Sequence, residues 1–197
     1  MSQATRIICR NLERSIAAKN ELLQNAQTQA EFARSVDIVL NCYQQGGRLY
    51  VAGNGGSAAD AQHLAAEFVS RLARDRAPLP AEALTTDSSI ITAIGNDYGY
   101  DEIFSRQIAG KLSEKDVFLG ITTSGNSPNI VKALQVCRER NIQSIVFTGH
   151  DGGAVREWSD VCVIAPGELT SQIQEVHLVL EHTLCECVEA ALFDFEL

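Results

Sequence analysis

The feature that most narrows the fold begins at Arg48. From there on, short apolar runs end in Gly, Ser or Thr, and stretches with helical periodicity follow. Arg48 to Ala52 reads as a strand, and Gly53-Asn54-Gly55-Gly56-Ser57 opens a helix from Ala58 to about Ala73. Ala81 to Leu84 reads as a short strand. Asp116 to Ile121 is a strand, after which Thr122-Thr123-Ser124-Gly125-Asn126-Ser127-Pro128 opens a helix from Asn129 to Arg140. Gln143 to Thr148 is a strand followed by Gly149 and the turn Asp151-Gly152-Gly153. Val161 to Ala165 is the last strand, ended by Pro166-Gly167, and a long helix runs from about Ser171 to Leu192. Strands that alternate with helices line up in parallel, with helices covering both faces. The expected fold class is therefore α/β, a three-layer sandwich around a central parallel sheet of about five strands.

Residues 1–44 differ in kind. They contain no Gly and no Pro. Ile7, Ile8, Leu12, Ile16, Leu22 and Leu23 recur at helical intervals, as do Phe32, Val36, Ile38, Val39 and Leu40. This predicts two helices with a break near Gln27 to Gln29, the second stopped by Gly46 and Gly47. Helices placed ahead of an α/β core serve either as core cover or as oligomer packing. The length of 197 residues fits one domain, residues 1–197, made of N-terminal helices (1–44) and an α/β core with its C-terminal helix (45–197).

Charge and cysteine usage exclude several partners. Lys and Arg number 16 against 25 Asp and Glu, a net charge of −9. That balance argues against duplex nucleic acid and against an anionic membrane surface. No apolar run approaches the roughly 18–20 residues of a membrane-spanning helix, and no secretory signal is visible. The six cysteines form no C-x-x-C pair. They read as free, mostly buried thiols in a reducing cytoplasm.

Two loops carry the signature of anion sites. In open α/β sheets, ligands bind beyond the carboxyl ends of the strands. The Gly53–Ser57 loop brings unobstructed N–H groups to a ligand, and its helix adds a positive dipole end. Thr122, Thr123, Ser124 and Ser127 crowd four hydroxyls around one helix start, more than capping needs. The surplus suggests a phosphate ester. Neither loop is a Walker A or G-x-G-x-x-G motif, so no nucleotide is indicated.

Metal-capable side chains occur on two helices. His63 and Glu67 are four apart and share a face beside small alanines. The last helix carries Gln174, Glu175, His177, Glu181 and His182. By spacing alone, His63 with Glu67 is more often an ordinary helix-face pair, and His177 with Glu181 is most simply a surface contact. Imidazole and carboxylate suit zinc and related ions.

Together these residues resemble bacterial phosphoheptose isomerases of the sugar isomerase (SIS) superfamily. The similarity rests on Gly53-Asn54-Gly55-Gly56-Ser57 with Asp60, His63 and Glu67, and on Gly95-Asn96-Asp97-Tyr98-Gly99. It continues through Thr123-Ser124-Gly125-Asn126-Ser127 and Ile173-Gln174-Glu175-Val176-His177 to His182, covering nearly the whole chain. The resemblance implies a SIS fold that converts sedoheptulose 7-phosphate to D-glycero-D-manno-heptose 7-phosphate for surface-glycan heptose. It also implies a cytoplasmic homotetramer with active sites at subunit contacts, the N-terminal helices packing between subunits. Carried over by motif, His63, Glu67, Gln174 and His182 match zinc ligands, one ion per subunit. Asn54, Gly55, Gly56, Glu67, Asn96, Asp97, Thr122, Thr123, Ser124, Ser127 and Gln174 match substrate contacts, with the Thr/Ser loop on the phosphate. The family usually has Ser where this chain has Thr122, and the hydroxyl is kept.

Ketose–aldose isomerisation through an enediol needs a base for a C–H proton, a shuttle between oxygens and stabilisation of enediolate charge. Glu67 and His182 are the expected acid–base pair, as the resemblance also implies. One spacing is awkward: Gln174 and His182 are eight residues apart, about 12 Å along a straight helix. The rival expectation is a non-catalytic SIS-domain tetramer that binds a replication-initiator protein. Gly56 and Glu67 favour the enzyme. A sugar-phosphate-sensing regulator would carry an added DNA-binding domain, and the first 44 residues hold no clear basic recognition helix.

Overall fold

The computed structural model describes residues 1–193, and positions 194–197 at the end of the expected domain lie outside the described residues. Two helices lead, α1 (Gln3–Gln24) and α2 (Ala26–Gln44). The α/β core follows as β1 (Leu49–Gly53), α3 (Gly56–Val69), β2 (Ala81–Ala83), α4 (Ser88–Asp97) and α5 (Ser105–Lys111). It continues through β3 (Val117–Thr122), α6 (Pro128–Glu139), β4 (Gln143–Thr148), α7 (Val155–Trp158), β5 (Val161–Ile164) and α8 (Thr170–Phe193). Among the described residues the five strands form one sheet in the order β2-β1-β3-β4-β5, every neighbouring pair parallel.

The sheet separates two apolar layers because alternate side chains of a strand point to opposite faces. Leu49, Val51, Leu119, Ile121, Ile145, Phe147, Val161 and Val163 face α2, α3 and α8, meeting Val39, Leu64, Phe68, Val176 and Leu184. Tyr50, Ala52, Phe118 and Val146 face the other way, against Ile103, Phe104, Ile108, Ile130 and Leu134. The inner strands β1 and β3 are buried throughout. That explains their nearly unbroken apolar runs.

Three expectations shift. The break between α1 and α2 falls at Asn25, whose side chain accepts from Thr28 N at 3.0 Å and caps α2. The glycine loop ends earlier, so α3 runs from Gly56 rather than Ala58 and stops at Val69. The stretch between β2 and β3 holds α4 and α5, which the strand-and-loop reading passed over. Asp87 accepts from Ile90 N at 2.9 Å, and Ile91 and Ile94 pack inward at helical spacing. That cap and spacing were the available signal. On α1, Ala18 is the only buried residue among those described, while Ile8, Leu12, Ile16 and Leu23 are 56–75% exposed.

Candidate active site

The strand order reverses direction between β1 and β3, and this is where an open parallel sheet leaves a crevice beyond its strand ends. Both expected loops sit there. Leaving β1, the chain reaches Gly55 at φ +56°, a left-handed conformation that a side chain resists. A Cβ on Gly53 would strike the Ser57 backbone. These glycines let α3 start within three residues of the strand. After β3, Thr122 is buried and its Oγ1 lies 2.9 Å from Ser127 Oγ and 3.5 Å from Ser124 Oγ. Ser127 occupies the N-cap of α6, yet its hydroxyl makes no capping bond and turns to Thr122 instead. The hydroxyls thus gather at the positive end of α6, where Pro128 carries no N–H and Ile130 N is already bonded to Ser127 O at 3.0 Å, so the hydroxyls are the main donors offered there.

A third segment closes on these two. Asn54 Nδ2 donates to Asn129 Oδ1 at 2.9 Å, and Asn129 Nδ2 donates to Asn54 Oδ1 at 2.8 Å. The Tyr100 hydroxyl donates to Asn54 Oδ1 at 3.0 Å. Tyr100 follows α4, whose last residues are Asn96 and Asp97. Asn96 Nδ2 donates to Asp97 Oδ1 at 2.8 Å, and both are exposed. Asn129 and Tyr100 were not among the expected site residues. Asn129 is 1% exposed and polar beside a phosphate-type loop, which is a signal sequence periodicity cannot carry.

The titratable groups meet on α3 and α8, which run side by side in the same direction. His63 Nε2 and His182 Nε2 lie 2.8 Å apart, and His63 Nε2 lies 3.7 Å from Glu67 Oε1. Residues 119 positions apart are therefore in contact, and the His63–Glu67 pair has a third member. Gln174 sits elsewhere on the same seam: its side-chain amide covers Gly56, where a Cβ would collide with Nε2. Gly56 and His63 are about two helical turns apart. Among the described residues, no three His, Cys, Asp or Glu side chains stand close enough to hold an ion as they are. The donor chemistry nevertheless suits zinc: two imidazoles converge from different helices, with a carboxylate one turn beyond.

Buried groups hold this seam in place. Arg76, whose side chain is 0% exposed, bonds Glu189 on α8 at 2.7 Å and donates to the carbonyls of Glu67 at 2.9 Å and Phe68 at 2.7 Å. It thereby satisfies orphan carbonyls in the last turn of α3, the turn that carries Glu67. His177 and Glu181 correct an expectation. They are not a surface pair, since both are fully buried. His177 Nε2 donates to Thr148 O at 3.0 Å, and burial pushes its pKa down to about 4. Burial first, then nearby Asp60, raises the Glu181 pKa to about 8, and burial also raises that of Asp60. Glu175 instead points outward to Lys19 at 3.5 Å.

The basic groups nearest in sequence to the site are otherwise engaged. Lys132 bonds Glu102 at 2.7 Å, Arg106 stacks over the Tyr98 ring at 3.6 Å, and Arg71 donates to Ala73 O at 3.3 Å. Trp158 packs on the second core layer, and His150 is exposed.

The chain and its fold have known relatives. The family model for the SIS domain matches residues 15–149. A phosphoheptose isomerase of Aneurinibacillus thermoaerophilus is 50% identical over 183 residues, 93% of this chain and 89% of that protein. Phosphoheptose isomerase 2 of Campylobacter jejuni is 47% identical over 91% of this chain and 89% of its own. The solved structure of a phosphoheptose isomerase from Neisseria gonorrhoeae superposes with a TM-score of 0.89 at 38% identity, covering 95% of this chain and all of that one. These relatives are named as isomerases, which speaks for catalysis over the initiator-binding alternative.

Proposed function

The chain belongs to the SIS-domain family of phosphoheptose isomerases, and from that premise we propose how its own residues do the work. The reaction is the conversion of sedoheptulose 7-phosphate to D-glycero-D-manno-heptose 7-phosphate. The phosphate is held by Thr122, Thr123, Ser124 and Ser127 at the positive end of the α6 dipole. Asn54, Gly55, Gly56, Asn96 and Asp97 contact the sugar chain along the crevice.

Glu67 takes a proton from carbon 1 of the ketose and returns it to carbon 2, leaving an aldose. His182 moves the hydroxyl proton from the oxygen on carbon 1 to the oxygen on carbon 2. The observation that carries this assignment is the 2.8 Å contact between His63 and His182 with Glu67 beside it. It brings a carboxylate and an imidazole from separate helices together on the α3–α8 seam. His63, Glu67, Gln174 and His182 would hold one zinc ion per subunit. When bound, zinc supplies Lewis-acid polarisation of the substrate oxygens. Glu67 has two carboxylate oxygens, enough for one to be held while the other receives a proton. Arg76 fixes the backbone of that turn.

Four subunits form the working assembly, and the exposed apolar face of α1 supports that reading. A reducing cytoplasm suits six free thiols, three of them buried. The product feeds assembly of surface-glycan heptose.

Metal analysis of the purified protein, paired with turnover of sedoheptulose 7-phosphate before and after chelation, tests the ion. The expected result is about one zinc per chain and activity that falls on chelation and returns with zinc. Full activity in a metal-free preparation would remove zinc from the account. Glu67→Gln and His182→Gln are each expected to lower kcat by about a hundredfold or more.

A further inference from the structure

The side chain of Asn54 is held from two sides, and its hydrogen-bonding capacity can be counted. A primary amide has two N–H donors and one oxygen with two lone pairs. Asn54 Oδ1 accepts from Asn129 and from the Tyr100 hydroxyl, which fills it. One N–H of Asn54 Nδ2 goes to Asn129 Oδ1. One N–H is left.

The contributions of the two neighbours differ. Asn129 is 1% exposed and anchored at the start of α6, so the reciprocal pair is fixed in position. Such a pair survives if both amides turn over together, which would exchange oxygen for nitrogen on the outer side of Asn54. The Tyr100 hydroxyl, donating to Oδ1, selects one of the two arrangements. Tyr100 comes from the turn Tyr100–Glu102 after α4, and it is 59% exposed. It links the loop after β1, the start of α6 and the segment carrying Asn96 and Asp97.

We infer that Tyr100 is a positioning residue that sets the Asn54–Asn129 pair so that Asn54 offers the substrate a single N–H donor. The site then reads one sugar oxygen, carbonyl or hydroxyl, through its lone pair and not through its proton. Asn54 lies outside the Thr/Ser loop, so this recognition acts on the sugar chain and leaves the phosphate contacts alone. The inference rests on the isomerase reading above.

A double-mutant cycle with Tyr100→Phe and Asn54→Ala tests it, using sedoheptulose 7-phosphate as substrate and inorganic phosphate as competitive inhibitor. Tyr100→Phe should raise KM about tenfold, the worth of one hydrogen bond, with kcat changed by less than about threefold. The inhibition constant for phosphate should stay at the wild-type value. Added to Asn54→Ala, Tyr100→Phe should have no further effect, because it acts only through Asn54. An unchanged KM would overturn the inference. So would an equal KM increase in the Asn54→Ala background, or a proportional loss of phosphate inhibition, since each marks a general loosening of the loops. A wild-type protein that does not turn over sedoheptulose 7-phosphate would remove the isomerase reading itself and this inference with it. Because Tyr100 is exposed, its melting temperature should match wild type, so the kinetic readout is free of unfolding.

Discussion

Gly56 and Gly125 lack side chains for different physical reasons, and alanine separates them. At Gly56 a Cβ meets the end of the flexible Gln174 side chain, and φ is ordinary. At Gly125 φ is +67° and a Cβ meets the Gly152 backbone carbonyl. Gly125→Ala should therefore destabilise the fold by about 1–3 kcal/mol. Gly56→Ala should fold normally but bind zinc about tenfold or more weakly, by displacing Gln174. Thermal melting and metal-competition titration distinguish the two outcomes. Buried His177 gives a pH prediction. Desolvation lowers its folded-state pKa from 6.5 to about 4, so the unfolded chain takes up the proton first as pH falls. Its contribution to stability is full above the unfolded value and is lost as pH drops from about 6.5 to about 4. Glu181 and Asp60 have raised values and act in the opposite sense, so the comparison must be differential. The stability difference between wild type and His177→Gln, from urea unfolding, should shrink across that window. A constant difference would contradict the assignment.

At the scale of elements, α3 and α8 form the working seam, and Arg76 ties their far ends together. Its guanidinium and Glu189 are both buried, at 0% and 4% exposure. Arg76→Met leaves a buried carboxylate and several helix-end carbonyls without their donor. It should cost about 3–5 kcal/mol, and Arg76→Met with Glu189→Leu should recover much of that loss. Denaturant unfolding of the three proteins is the check. The sequence made much of this level readable. The alternation after Arg48 showed the parallel sheet, and the surplus of hydroxyls from Thr122 to Ser127 marked a loop that the fold sets beyond the end of β3. The strand order, and hence the crevice between β1 and β3, was not readable. Helices α4 and α5 leave little trace in the sequence because their apolar stripes are short and interrupted, with Gly95, Gly99 and Gly110 nearby. Asn129 and Tyr100 stayed invisible because a long-range amide pair leaves no local pattern. The contact of His63 with His182 needed the tertiary fold or the family resemblance.

The whole molecule carries a net charge of −9, yet the proposed substrate is a phosphate. The two are compatible because the proposed cradle is built from hydroxyls and helix dipole ends, while Lys132 and Arg106 are engaged by Glu102 and Tyr98. Long-range charge opposes the substrate phosphate, and in the proposed site short-range dipoles hold it. At the same scale, Ile8, Leu12 and Ile16 leave an apolar face on α1. Leu12→Glu with Ile16→Glu should convert the proposed tetramer to smaller species in sedimentation velocity without loss of helical signal. The central claim is that this crevice moves a proton between adjacent carbons through Glu67 and His182. The most direct measurement is turnover of sedoheptulose 7-phosphate in deuterated water, with mass spectrometry and NMR of the sugar pool, by wild type, Glu67→Gln and His182→Gln. The account predicts deuterium on the reacting carbons with wild type, and loss of that exchange in Glu67→Gln. His182→Gln should lose net aldose formation. Exchange at the wild-type rate in both variants would contradict it.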